Sequence, residues 1–188
     1  MNFQTMNEAE VTIGEKQITM HAKGGTNLFN GVSGTWKETA FPYCYVKVQG
    51  DFMVQCKVKV DFKAVYDLGA LVIYEEEDKW IKFAFENADT GEPAIVSVVT
   101  RGTSDDCNGE PIAEGEVWLK ICRQENMFAM HYSKDGKKWK LARICRLELQ
   151  NEVMAGVSVQ CPTGNGCTAY FEHFELGKNP YKDIRNLK

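Results

Sequence analysis

The sequence predicts an all-β fold, a two-sheet antiparallel jelly-roll sandwich. Three observations carry that reading. Apolar residues recur at every second position through most of the chain. Turn residues interrupt the alternation about every 8–12 positions. No stretch of useful length repeats its apolar residues at three and four, and Lys63 to Asp67 offers one helical turn at most. At 188 residues the chain suits one domain with a real core. It is long for the immunoglobulin type of sandwich, which runs to about 100 residues.

Taken in order, Val11 to Met20 and Tyr43 to Val48 read as the first strands. Asp51 to Phe62 alternates strictly, with Phe52, Val54, Cys56, Val58, Val60 and Phe62 on one face and Gln55, Lys57, Lys59 and Asp61 on the other. That is a half-buried antiparallel strand. The apolar run Leu68 to Tyr74 ends in Glu75-Glu76-Glu77-Asp78, a charged hairpin tip. Lys79 to Asn87 returns with Ile81, Phe83 and Phe85 inward, and Ala88-Asp89-Thr90-Gly91 turns the chain into the Val-rich Ala94 to Thr100. Asp105, Asp106, Asn108 and Glu110 around Gly109 read as a solvated turn, with no standard calcium spacing. Glu116 to Gln124 puts Val117, Leu119 and Ile121 inward. Met127 to Ser133 and Trp139 to Ile144 flank a Lys-Asp-Gly turn resembling an Asp-box hairpin, with Trp139 expected in the core. Val153 to Gln160 and Thr168 to Leu176 complete the set.

The expected core is Phe52, Val54, Val58, Val60, Phe83, Phe85, Leu119, Ile121, Val157 and Phe171. The domain spans 1–177. Residues 178–188, KNPYKDIRNLK, lose the alternation and are expected as a loosely held terminal arm.

Twenty-two Lys and Arg against twenty-six Asp and Glu leave the chain at −4. That balance argues against nucleic acid and anionic membranes as partners. The longest apolar run is too short to cross a bilayer. The opening MNFQTMNEAE has neither the basic nor the apolar region of a secretory signal, and no Asn-x-Ser/Thr sequon occurs. A cytoplasmic protein is therefore expected. Its seven cysteines, an odd number with no CxxC, are expected as free thiols. No His stands at ligand spacing to a Cys, which argues against structural zinc, and no cofactor is expected.

The blocks YDLGALVIYEEEDKWIKFAFEN, SVVTRGTSDD, WLKICR and YSKDGKKW, spread between Phe41 and Leu176, resemble the YesU-like family of uncharacterised proteins. That family belongs to the concanavalin A-like lectin and glucanase superfamily. The resemblance implies two large antiparallel sheets, one of them concave as in galectins, with any ligand on the concave sheet. It implies no particular reaction. Leu68 replaces the Gln usual in the YDLGAL block, and Asp106 the aromatic usual after Ser-Asp, so specificity is expected to differ.

Catalytic patterns are scarce. The Glu-x-Asp-x-Glu strand of retaining glucanases is absent, as are the Gly-x-Ser-x-Gly, His-Glu-x-x-His and Walker patterns. Gly164-Asn165-Gly166 lies between two strands and is no dinucleotide cradle. Glu172 and Glu175 are oddly spaced and fall on opposite faces unless a bulge intervenes. The informative pair is Trp80 and Trp118. By parity Trp80, Lys82 and Glu86 lie opposite one strand's core face, and Trp118, Lys120 and Gln124 opposite the other's. A Trp on the wet face of a sheet needs a cover, such as a sugar ring. The six residues are expected to form one polar-aromatic surface on a single sheet. The bland alternative is that loops or the arm cover both Trp as a second small core. Three functions follow in order: a carbohydrate-binding or sugar-sensing sandwich without catalysis; a protein-interaction module that regulates a metabolic enzyme, binding a partner or a second copy of the chain; and a glycoside-active enzyme.

Overall fold

Alternation at period two becomes sixteen strands and no helix in the computed structural model, which describes residues 1–188. They are β1 (Gln4–Met6), β2 (Glu10–Ile13), β3 (Gln17–Lys23), β4 (Phe29–Asn30), β5 (Lys37–Glu38), β6 (Tyr43–Gln49), β7 (Phe52–Val60) and β8 (Leu68–Glu76). There follow β9 (Lys79–Asn87), β10 (Pro93–Arg101), β11 (Thr103–Pro111), β12 (Glu116–Gln124), β13 (Met127–Ser133), β14 (Lys140–Arg146), β15 (Glu152–Gln160) and β16 (Gly166–Lys178). One seven-stranded sheet runs β1-β6-β15-β8-β9-β10-β11 and the other β14-β13-β12-β7-β16-β3-β2, with β4 and β5 a separate small ribbon. Every pairing is antiparallel. The two last strands, β15 and β16, each sit inside a sheet rather than at its edge.

The inward residues of the two sheets meet in the main core, which contains all ten residues expected there, from Phe52 to Phe171. Cys44, Cys56, Cys161 and Cys167 fill gaps in it as small hydrophobes. A second core lies outside the first sheet. Leu28 and Phe41 fold over Tyr43, Leu68, Ala70, Val72, Tyr74 and Trp80. This cover explains why β8 is buried along both faces as far as Tyr74 and reads as an unbroken apolar run.

Three local expectations are corrected. Asp105 to Glu110 is not a turn but part of β11, an edge strand paired with β10. Two of its charges are paired, Asp105 with Arg143 at 2.9 Å and Glu110 with Lys140 at 2.6 Å, and Asn108 donates to Asp89 at 2.7 Å. Charged side chains of this kind protect an edge from further pairing. Trp139 is half-buried outside the second sheet, 3.8 Å beneath the Lys120 ammonium, and not in the core. The terminal arm is docked. Ile184 is buried in a third cluster with Met53, Cys122 and Ala129, and His131 bonds the Ile184 carbonyl at 2.8 Å. Alternation fails there because the arm packs as a loop, with three apolar anchors and no ladder.

Candidate functional site

The six residues expected on one surface lie on two. Trp80, Lys82 and Glu86 are on β9 in the first sheet, and Trp118, Lys120 and Gln124 on β12 in the second. Parity assigned each residue to the outer face of its own sheet, but nothing in the pattern says which strands are neighbours. The β12 group is covered. Trp118 stacks on His173 with ring centres 5.2 Å apart, Lys120 donates to the Tyr181 hydroxyl at 3.0 Å, and Gln124 donates to the Lys182 carbonyl at 3.4 Å. The arm thus occupies much of that face. His173 reaches Trp118 because β16 bulges there, with His173 at φ 53°. The same bulge brings Glu172 beside Lys57 and Glu175 beside Gln55, so both glutamates share the outer face. On β9, Trp80 is fully buried and its indole donates to the Glu77 carbonyl at 3.1 Å. Trp80 is core, as in the bland reading.

Lys82 and Glu86, by contrast, line a cavity of about 270 Å³. Its rim is Phe29, Trp36, Tyr66 and Pro162, together with Asp106, which is exposed on the edge strand β11. The β4–β5 ribbon presents Trp36, which stacks on Phe29 with ring centres 5.7 Å apart and stays 48% exposed. The indole lies across Gly31, where any Cβ would stand 2.3 Å from it. A glycine is needed there for that close approach. The segment is pinned to the sheet by Asn30, whose backbone N–H donates to Ser104 and whose side chain donates to the Gly102 and Glu77 carbonyls.

Lys82 is buried, and its ammonium donates to the Leu28 carbonyl at 2.9 Å and to Gln160 at 3.2 Å. Gln160 holds the Leu28 N–H at 3.1 Å with the same oxygen. Burial lowers the Lys82 pKa, against the pull of Glu86 and Asp106. Glu86 is pushed up to about 7 by burial first, with Lys82 pulling the other way. Asp106 is raised for the same first reason. The cavity therefore has aromatic faces at its mouth, two buried ionisable groups within and a third at its edge, a set with the chemistry to meet hydroxyls from one side and a ring face from the other. A larger open groove of about 680 Å³ beside Arg101, Arg143 and Arg146 has no aromatic wall.

The sign of a pH effect follows from Glu86. Below the ordinary carboxylate range it is neutral both folded and unfolded. As pH rises toward 7 the unfolded chain releases this proton while the folded chain keeps it, so the folded state loses ground. Urea unfolding at pH 5 and pH 8 should show a smaller fall in stability for Glu86→Gln than for the parent protein. An equal fall in both would show that Glu86 titrates normally.

Sequence reasoning identified Lys82 and Glu86 and missed Phe29, Trp36, Tyr66 and Pro162. Trp36 had a signal: a large aromatic among Gly31, Ser33, Gly34 and Thr35, outside any alternating run. The others come together only through the fold.

The family described as a protein of unknown function, DUF1349, matches residues 5–179. No curated protein matches the sequence. Among solved structures, a functionally unknown protein from Saccharomyces cerevisiae superposes with a TM-score of 0.88 at 19% identity, over 94% of this chain and 96% of that one. The carbohydrate-binding module CBM66 from Bacillus subtilis superposes with a TM-score of 0.62 at 12% identity, over 94% and 95%. A xylan β-1,4-xylosidase from Bacillus halodurans gives 0.62 at 12%, with 91% of this chain covering 38% of that one. At these identities the likeness is one of fold.

Proposed function

We propose, because the chain belongs to the DUF1349 family and shares its fold with a carbohydrate-binding module, that it is a cytoplasmic carbohydrate-binding sandwich without catalysis. The observation that carries the reading is the exposed, stacked Trp36 at the mouth of a cavity whose interior holds Lys82 and Glu86, with Asp106 at its edge. Stacking gives a sugar ring its apolar contact, and the charged groups fix its hydroxyls. A volume of about 270 Å³ is near the lower bound of small-molecule sites, about 300 Å³, and favours one ring over a chain. The YesU-like resemblance, with its concanavalin A-like superfamily, supports the same reading.

Glycoside hydrolysis draws on one observation, two raised carboxyls in one cavity. Glu86 and Asp106 are two strands and four register positions apart, which does not suit the pair about 5 Å apart of a retaining enzyme, and Asp106 stands exposed on an edge strand while Glu86 is buried. Binding is therefore the reading we adopt.

A glycan array followed by calorimetric titration, with xylo-oligosaccharides among the probes, tests it. Trp36→Ala should weaken binding about tenfold or more, since a stacked aromatic contributes roughly 0.5–1.5 kcal/mol beyond its buried area. Its unfolding midpoint should move little, because the indole is half exposed. No binding of any glycan by the parent protein, or full binding by Trp36→Ala, overturns the proposal. Reducing sugar released by the parent protein and not by Glu86→Gln would replace it with hydrolysis.

A further inference from the structure

Three side chains with metal-ligating chemistry meet behind the rim of the cavity. A carboxylate oxygen of Asp67 and the sulfurs of Cys161 and Cys167 all lie within 4.8 Å of one another. All three residues are fully buried. The Asp67 carboxylate is held in place on one side only. Its Oδ2 accepts the backbone N–H of Lys63 at 2.8 Å and of Ala64 at 2.9 Å. Its Oδ1 is buried and makes no regular hydrogen bond, with only the Cys161 thiol, a weak donor, beside it. Oδ1 and the Cys161 sulfur flank the same small space under the 161–167 loop: a Cβ on Gly164 would stand 2.8 Å from that sulfur and 3.5 Å from that oxygen. The Cys167 thiol borders it and donates to the Gln160 carbonyl at 3.2 Å. A buried anionic oxygen without a regular hydrogen bond is costly and calls for an explanation.

We propose that Asp67, Cys161 and Cys167 form a zinc site. Two sulfurs exclude calcium and magnesium, which take oxygen ligands, while two thiolates with one carboxylate suit a borderline cation. Bonds of about 2.3 Å to sulfur in a tetrahedral site put the two sulfurs about 3.8 Å apart, so a small inward movement of the 161–167 loop closes the set. The fourth position falls to a backbone carbonyl or to solvent. Binding releases the two thiol protons to solvent and moves no electron. Zinc with two thiolates and one carboxylate leaves a net charge of −1, the charge Asp67 alone brings to the site without the ion. The two backbone N–H groups on Oδ2 then orient the ligand, as outer partners do in metal sites. Tyr66 and Pro162, each next to a ligand in the chain, stand on the cavity rim. The ion would thus tie together two loops that shape the mouth of the cavity.

The test uses the full chain, reduced and stripped of metal, titrated with Co²⁺ under anaerobic conditions. One equivalent should give sulfur-to-cobalt charge-transfer absorption and the strong visible bands of tetrahedral Co²⁺, both removed by Zn²⁺. Cys161→Ser and Cys167→Ser should lose the charge-transfer band in part and weaken binding about tenfold or more, and Asp67→Asn should weaken it about tenfold. Cys107→Ser, at an exposed thiol, should change neither. Should a variant fail to fold, the parent spectrum still decides. No charge-transfer band with one equivalent of Co²⁺, or an unchanged band in a folded Cys161→Ser/Cys167→Ser protein, overturns the proposal. These readouts involve no sugar, so they stand or fall apart from the binding function.

Discussion

Trp80→Ala is expected to destabilise the protein by about 3–5 kcal/mol, as much as Phe83→Ala in the main core. Trp80 is fully buried in the second core, where Leu28 and Phe41 close over it and Tyr74 is its cross-strand partner. Truncation removes the largest side chain of that layer and leaves a cavity under a cover pinned at Asn30 and Gln160, which limits collapse into the gap. It also leaves the Glu77 carbonyl without its indole donor. Denaturant unfolding measures the loss. Trp80→Phe should recover the larger part, keeping the ring and lacking only the donor. A cost under about 1 kcal/mol for Trp80→Ala would mean that the second core is not packed as described.

The second large effect is expected at Gly156, near the middle of β15 and paired with Tyr45 and Val72. A Cβ there would stand 2.0 Å from the Cys44 carbonyl oxygen and 2.6 Å from the Tyr45 Cα. Both obstacles are backbone, so no rotamer change relieves them, and β6 would have to move away from β15. Overpacking ordinarily costs about 1–3 kcal/mol. A clash with the main chain of an inner strand belongs at or above the top of that range. Gly156→Ala should therefore lose about 3 kcal/mol or more. Gly50→Ala is the control, because Gly50 has φ +69° and nothing within 4 Å of an added Cβ. It should lose only about 1–2 kcal/mol, the cost of a left-handed alanine. Equal losses at the two sites would remove the steric argument.

Much of the fold was legible because burial alternates with the pleat. Phe52 to Val60 and Ile81 to Phe85 declare their inward face residue by residue, and the structure keeps those faces. The candidate site was half legible for the same reason. Parity turned Lys82 and Glu86 outward correctly, but the same rule turned Trp80 outward too, and it cannot know that residues 27–41 lie over the sheet. The strong apolarity of Leu68 to Tyr74 was the trace of that cover: a strand with one wet face has no need of Leu68, Ala70 and Val72 on it. Trp118 failed for a different reason, since which strands share a sheet is a matter of long-range pairing. The Asp67, Cys161 and Cys167 cluster is a matter of proximity as well. Its members keep no motif spacing, and the rules that find metal ligands by spacing pass over it.

The interior positions of β15 and β16 have a kinetic consequence. Before residues 152–178 pair, the first sheet is split between β6 and β8 and the second between β7 and β3. Each split exposes a row of unpaired N–H and C=O groups, the template on which chains stick to one another. Both sheets are completed only by contacts spanning most of the chain, which places folding in the slow, millisecond-to-second class of β-rich topologies. During that interval the vulnerable surfaces are the inner flanks of β6, β8, β7 and β3. The charged row of β11 guards the finished sheet and gives those flanks no protection.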